Sequence, residues 1–261
     1  DDFAAQLNSA AETRINSDYS PISYMFDFLI WHKIIRGDSA MMRLFSTNGI
    51  RLIFLGCILC VILSLLASAH GSRAAARIRT TAFIVGFMGM ALSMVLVLAF
   101  QTFFGYIYAW ISFATATYMA GMGAATLIVN NRIAHLDAAR VLGRILGIAI
   151  ILQLALTPIL TFMNSPVLYI LLFMSAGALV GAAYPLICRL YFHATSQPEL
   201  GSIYAADVLG GAVGALFITS ILIPLSGFFF TLLFSALLCL SAWIYIKKRQ
   251  RTVAMSERGG T

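Results

Sequence analysis

The sequence predicts an all-α, polytopic integral membrane protein: about seven transmembrane helices preceded by an interfacial amphipathic helix. Three observations predict it. Of the 261 residues, 61% are hydrophobic and 10% charged, and mean hydropathy is +0.91, whereas a soluble domain carries about 25% charged residues. The apolar residues gather into seven runs near the length of about 20 that crosses a bilayer core. The bases collect in alternate loops between those runs, the pattern that membrane topology imposes.

In chain order, residues 1–20 are polar and read as a linker or the end of a preceding domain, since the chain opens on Asp1 without a signal-peptide pattern. Residues 21–37 are aromatic and apolar but too short to span. Ser20 can cap this helix, Pro21 can open it, and Tyr24, Phe26, Phe28 and Trp31 suit the headgroup zone. A packed re-entrant helix is the other reading. The transmembrane domain is expected over 50–246, with spans near 52–69, 81–100, 107–129, 145–163, 166–187, 203–223 and 227–246. Between the fourth and fifth only Asn164, Ser165 and Pro166 intervene, and Pro166 can open a helix because the first helical position needs no N–H. Residues 247–261 form a basic tail that reads as disordered beyond position 249.

Charge sets the expected orientation. Residues 1–40 carry a net −3 and the remainder a net +10. The bases form no single stripe, so lipid and not nucleic acid is the expected partner. Arg73, Arg77 and Arg79 follow span one, Arg132, Arg140 and Arg144 follow span three, Arg189 follows span five, and Lys247, Lys248, Arg249 and Arg251 follow span seven. The intervening loops lack bases. This alternation predicts a cytoplasmic C-terminus and an external N-terminus, with a bacterial inner membrane as the expected location. Lys33, Arg36, Arg43 and Arg51 run against that placement.

Small residues let membrane helices approach closely. Three G-x-x-x-G pairs occur, Gly143 with Gly147, Gly177 with Gly181, and Gly210 with Gly214. They read as packing faces within the molecule. Span three opens Gly105-Tyr-Ile-Tyr-Ala and span six opens Gly201-Ser-Ile-Tyr-Ala. Three helices apart, these segments point in opposite directions. They fit an inverted three-helix repeat, a transporter habit, and fit coincidence equally well.

Four stretches, in order, carry a resemblance: INSDYSPISYMFDFLIW (15–31), FGYIYAWISFATATYMAGMGAATL (104–127), AGALVGAAYPLICRLYF (176–192) and GSIYAADVLGGAVGALFITSILIPLSG (201–227). Together they resemble the membrane part of membrane-fused spermidine synthase-like proteins. Ser17, Tyr184 and the spacing at Met122 and Gly123 depart from that family's pattern. The resemblance implies a non-catalytic membrane domain that anchors or serves a domain, or a partner complex, on the external face. The family's Rossmann-type synthase-like part, with its Gly-rich loop and acidic residues, has no counterpart in this sequence. Aminopropyltransferase-like activity would need a domain outside it.

The chemistry-bearing residue is Asp207. An Asp at mid-bilayer costs roughly 2.5–3.5 kcal/mol on insertion scales. Asp207 is expected about five residues into its helix, roughly 7 Å from its start. Its candidate partners are Arg189, His193, Arg144 and Arg132, with Tyr204 and Tyr191 as hydrogen-bond donors. It reads either as a cation or proton site in a transporter-like bundle, for a small cation such as a polyamine, or as a helix-end acid paired with a loop Arg. Gln101, Gln153 and Asn130 read as interhelical hydrogen-bonding groups. The pair Cys57 and Cys60 reads as apolar packing. His32, His70, His135 and His193 lie outside the spans, so haem ligation is not expected, nor any other cofactor or metal. Phe103, Phe104, Tyr106, Tyr108 and Trp110 form an aromatic edge that reads as an interfacial belt. A weaker reading makes this edge a docking face for a redox complex.

Overall fold

The structure, a computed structural model, describes residues 55–62, 74–104, 108–162, 165–195 and 199–258. The predicted linker over 1–20, the interfacial helix over 21–37 and most of the first span lie outside these residues. Residues 55–62 are helical. Then follow α1 (Ala74–Phe104), α2 (Tyr108–Arg132), a 3₁₀ turn (Ile133–His135), α3 (Ala138–Phe162), α4 (Pro166–Phe192), α5 (Leu200–Phe217), a π-helical turn (Ile218–Leu222) and α6 (Ile223–Arg258). Regular structure among the described residues is entirely helical, as hydrocarbon requires of a chain that does not close a barrel.

The helix ends follow from local chemistry. Asp137 precedes α3, and its Oδ1 accepts a hydrogen bond from the Arg140 N–H at 3.1 Å, the third helical position that an N-cap serves. Ser165 is extended and Pro166 opens α4, where the missing N–H costs nothing. Pro185 lies inside α4 and cannot donate to the Gly181 carbonyl four residues back. The Thr126 hydroxyl of α2 lies 2.8 Å from that carbonyl and shares its proton between it and the Met122 carbonyl of its own helix, also at 2.8 Å. A neighbouring helix thus satisfies the freed backbone group, the condition on which lipid tolerates an interior proline.

Among the described residues, five runs are long and apolar enough to cross a membrane: Ala74–Thr102, Ser112–His135, Ala138–Leu156, Pro166–Phe192 and Leu200–Gln250. Seven were expected. The span at 52–69 lies largely outside the described residues, and the spans at 203–223 and 227–246 form one run of 51 residues. A straight helix of that length would reach about 75 Å, against a hydrocarbon core of about 30 Å. The run is not straight. Gly227 has φ 73 and ψ −176, a conformation that a side chain disfavours. Phe217 and Phe234, on either side of it, have ring centroids 6.3 Å apart, where a continuous helix would separate them by about 25 Å. The chain therefore folds back at Gly227. Beyond the fold, α6 remains helical to Arg258, past the point where the tail was expected to lose order.

The helices pack in two matched sets. α1 packs on α5, α4 and α6, while α4 packs on α2, α1 and α3. α3 and α6 pack on each other and run antiparallel: Gln250 reaches the Ala139 carbonyl and the Cys239 thiol lies 3.8 Å from the Leu146 carbonyl. Exchanging α1 with α4, α2 with α5 and α3 with α6 reproduces these neighbours, though not the lesser contact of α1 with α2, which has no α4–α5 counterpart of like extent. The packing resembles the layout of an inverted three-helix repeat to that degree. The sequence echo itself begins at residues 105–107, outside the described residues.

The three glycine pairs do not all pack alike. Gly177 with Gly181 and Gly210 with Gly214 meet the backbone of an opposing helix. Gly143 and Gly147 face α6 without such contact. A Cβ on Gly143 would lie 3.0 Å from the Gln250 side chain, and one on Gly147 would lie 3.4 Å from the Trp243 ring. Gly147 is only half-buried. At Gly143 and Gly147 the side chains of Gln250 and Trp243, and not a backbone, fill the space beside the glycine.

Candidate functional site

The site is framed by two helix crossings, α1 with α5 and α2 with α4. Each is closed by glycines whose backbones meet. A Cβ on Gly86 would overlap the Asp207 carbonyl, and one on Gly210 would overlap the Phe83 carbonyl. In the other crossing, a Cβ on Gly121 would overlap the Met174 carbonyl and one on Gly177 the Tyr118 carbonyl. In both, each glycine touches the carbonyl three residues before the opposing glycine. A second glycine, one turn after the first, extends each contact: Gly214 meets Phe87 and Gly181 meets Met122. Only glycine allows backbones this close.

Asp207 lies in the first of these crossings. It is the eighth residue of α5, about 10 Å along the helix, and is half-buried. Its Oδ1 lies 3.0 Å from the point a Gly86 Cβ would occupy, and the Tyr118 hydroxyl lies 3.2 Å from the equivalent point on Gly89. Gly86 and Gly89 are about 4.5 Å apart along α1, so the carboxylate and the phenol sit over adjacent turns of one helix. Tyr118 is 8% exposed and donates to the Gly89 carbonyl at 3.2 Å. From α4, Val180 closes over Gly89. Tyr184 and Cys188, one and two turns further on the same face, come within electrostatic reach of Asp207, as does Tyr118. One carboxylate, two phenols and a thiol thus gather where α1, α2, α4 and α5 meet. No Lys or Arg among the described residues pairs with Asp207.

The other residues singled out in the sequence lie elsewhere. Tyr204 is 62% exposed. Tyr191 hydrogen-bonds Ser202 at 3.1 Å, tying α4 to α5. Arg189 donates to the Leu136 carbonyl at 2.9 Å, and His193 follows the end of α4. Both line a cavity of about 390 Å³ with Arg140 and Arg249. Arg132 and Arg144 are exposed. Gln153 is fully buried and donates to its own helix at Ala149, while Asn130 is exposed. Phe104 stacks edge-on with Tyr169, and Trp110 with Phe113. Cys57 is buried and Cys60 exposed, both as free thiols. No group of three metal-ligating side chains occurs among the described residues.

Sequence reasoning did not connect Tyr118, Tyr184 or Cys188 with Asp207. The signal within α4 was available, since Val180, Tyr184 and Cys188 repeat every four residues on one face. Which helix that face meets depends on tertiary packing. The nearest sequence pointer was Tyr184, noted as a departure from a family pattern.

No protein-family model, curated protein or solved structure matches the chain at a significant level.

Proposed function

We propose that this membrane-embedded bundle binds a small cation, an amine or a proton, at Asp207 and carries it across the bilayer. The observation that supports this reading most is the unpaired carboxylate lodged between helices. An intramembrane acid is costly and ordinarily has a partner or faces a cavity. Asp207 has hydroxyl and thiol neighbours but no cation among the described residues. A carboxylate flanked by phenols suits a cationic guest, with the phenol oxygens accepting N–H donors. The matched packing of α1–α3 and α4–α6 adds support, because transporters commonly place their sites at the interface between inverted repeats. The alternating loop bases support a cytoplasmic C-terminus.

The test is uptake of labelled putrescine into proteoliposomes, with a pH-sensitive dye following protons in parallel. The wild-type protein is expected to carry one or both, and Asp207→Asn neither. Transport undiminished in Asp207→Asn contradicts the role of the carboxylate. Absence of any amine or proton flux in the wild type contradicts the transport reading and leaves the anchoring role that the family resemblance implies.

A further inference from the structure

A second site lies at the opposite end of α4 from Pro166. Leu136 and Asp137, the start of α3, the end of α4 and the distal part of α6 line the cavity of about 390 Å³. Its charged and titratable lining comprises Arg140, Arg189, His193, Arg249 and Asp137. Arg140 is partly neutralised by Asp137, 3.3 Å away. Arg189 uses one guanidinium nitrogen on the Leu136 carbonyl. The Arg249 guanidinium engages the Tyr245 hydroxyl, but its Nη1 is buried and has no hydrogen-bond partner among the described residues. Leaving a buried charged donor unsatisfied is expensive, so that nitrogen calls for an acceptor. Ala138 and Ala139, in the first turn of the 25-residue helix α3, also line the cavity. There a helix leaves backbone N–H groups without intrahelical partners and favours negative charge.

We propose that this cavity binds a phosphate oxyanion, carried by an anionic phospholipid headgroup or free in solution. Guanidinium groups match a phosphate's oxygens in geometry as well as charge. The cavity sits where the apolar surface of the spans gives way to the basic segment Lys247–Arg249, the setting in which basic pockets between transmembrane helices take lipid headgroups. The donors come from three separate helices, so an oxyanion there would tie α3, α4 and α6 together.

The test uses the whole purified chain in a neutral detergent and follows its thermal unfolding with added phosphatidylglycerol, phosphatidylcholine or inorganic phosphate. Phosphatidylglycerol is expected to raise the unfolding temperature in a saturable way, and phosphatidylcholine at equal mole fraction is not. The same shift with inorganic phosphate alone assigns a free anion, and a shift with phosphatidylglycerol alone assigns the headgroup. Arg249→Gln is expected to weaken the effect about tenfold or more, the scale of one charge-assisted hydrogen bond. Should that variant fail to fold, Arg140→Gln, at a side chain 67% exposed, is expected to weaken it as well. The proposal is overturned if neither phosphatidylglycerol nor phosphate shifts the unfolding temperature, if phosphatidylcholine acts equally, or if every variant that folds binds as the wild type does.

Discussion

The crossing of α1 with α5 and the crossing of α2 with α4 share one backbone geometry and differ in the side chains they carry, most sharply at a single acid. The carbonyl that meets Gly86 belongs to Asp207, and the carbonyl that meets Gly121 belongs to Met174. Both residues stand three positions before the glycine of their own helix. The second crossing closes without an acid, so the carboxylate of Asp207 is not what brings helices together at this distance. Glycine and a bare carbonyl suffice. Close packing alone therefore does not account for Asp207, which is the ground for proposing a cation there.

Five substitutions sharpen or break this comparison. Met174→Asp gives the second crossing the acid of the first without the phenols around it. Met174 is 46% exposed on the outer face of the bundle, so the substitution is expected to cost about 2.5–3.5 kcal/mol, read as loss of folded protein in a denaturant titration. If it is as well tolerated as native Asp207, the surroundings of Asp207 are not special. Gly210→Ala and Gly177→Ala each force a methyl group into an opposing backbone and are expected to cost about 1–3 kcal/mol. Equal losses would uphold the equivalence of the crossings, and a loss in only one would end it.

Tyr118→Phe removes the hydroxyl that joins the two crossings at Gly89. Membrane hydrogen bonds average about 0.6 kcal/mol, so stability should fall by less than about 1 kcal/mol. Transport should fall further than stability does, because the same phenol lies within electrostatic reach of Asp207. The smallest effect is expected at Gly123, where a Cβ would meet nothing within 4 Å. Gly123→Ala should stabilise α2 by up to about 1 kcal/mol through helix propensity alone. A loss there would mean that α2 has a neighbour beyond those described.

Much of the helical architecture was legible in the sequence because lipid imposes a simple code. Runs of about 20 apolar residues and Pro166 at a helix start have local causes. Small residues four apart are a weaker guide: two of the three glycine pairs meet a backbone, and Gly147 meets Trp243 instead. The spacing marks where a helix could be approached closely, and the partner's side chains decide whether it is. Other missing features have non-local causes too. Nothing near Thr126 announces that it serves a carbonyl freed by Pro185 of another helix. Gly227 looked like the start of a span, and its positive φ is visible only once Phe217 and Phe234 meet across it. Asp207 was conspicuous as a charge in an apolar run, yet its neighbours are decided by which faces of α2 and α4 turn inward. The expected partners, Arg189 and His193, were chosen by their nearness to a span end. Packing turns them instead toward the first turn of α3.

The most direct test of the central claim sets two readouts side by side on Asp207→Asn: its unfolding midpoint in detergent and its putrescine and proton flux in proteoliposomes. The carboxylate as a cation site predicts a midpoint within about 1 kcal/mol of the wild type and no flux. A variant that no longer folds, or one that folds and transports like the wild type, contradicts it.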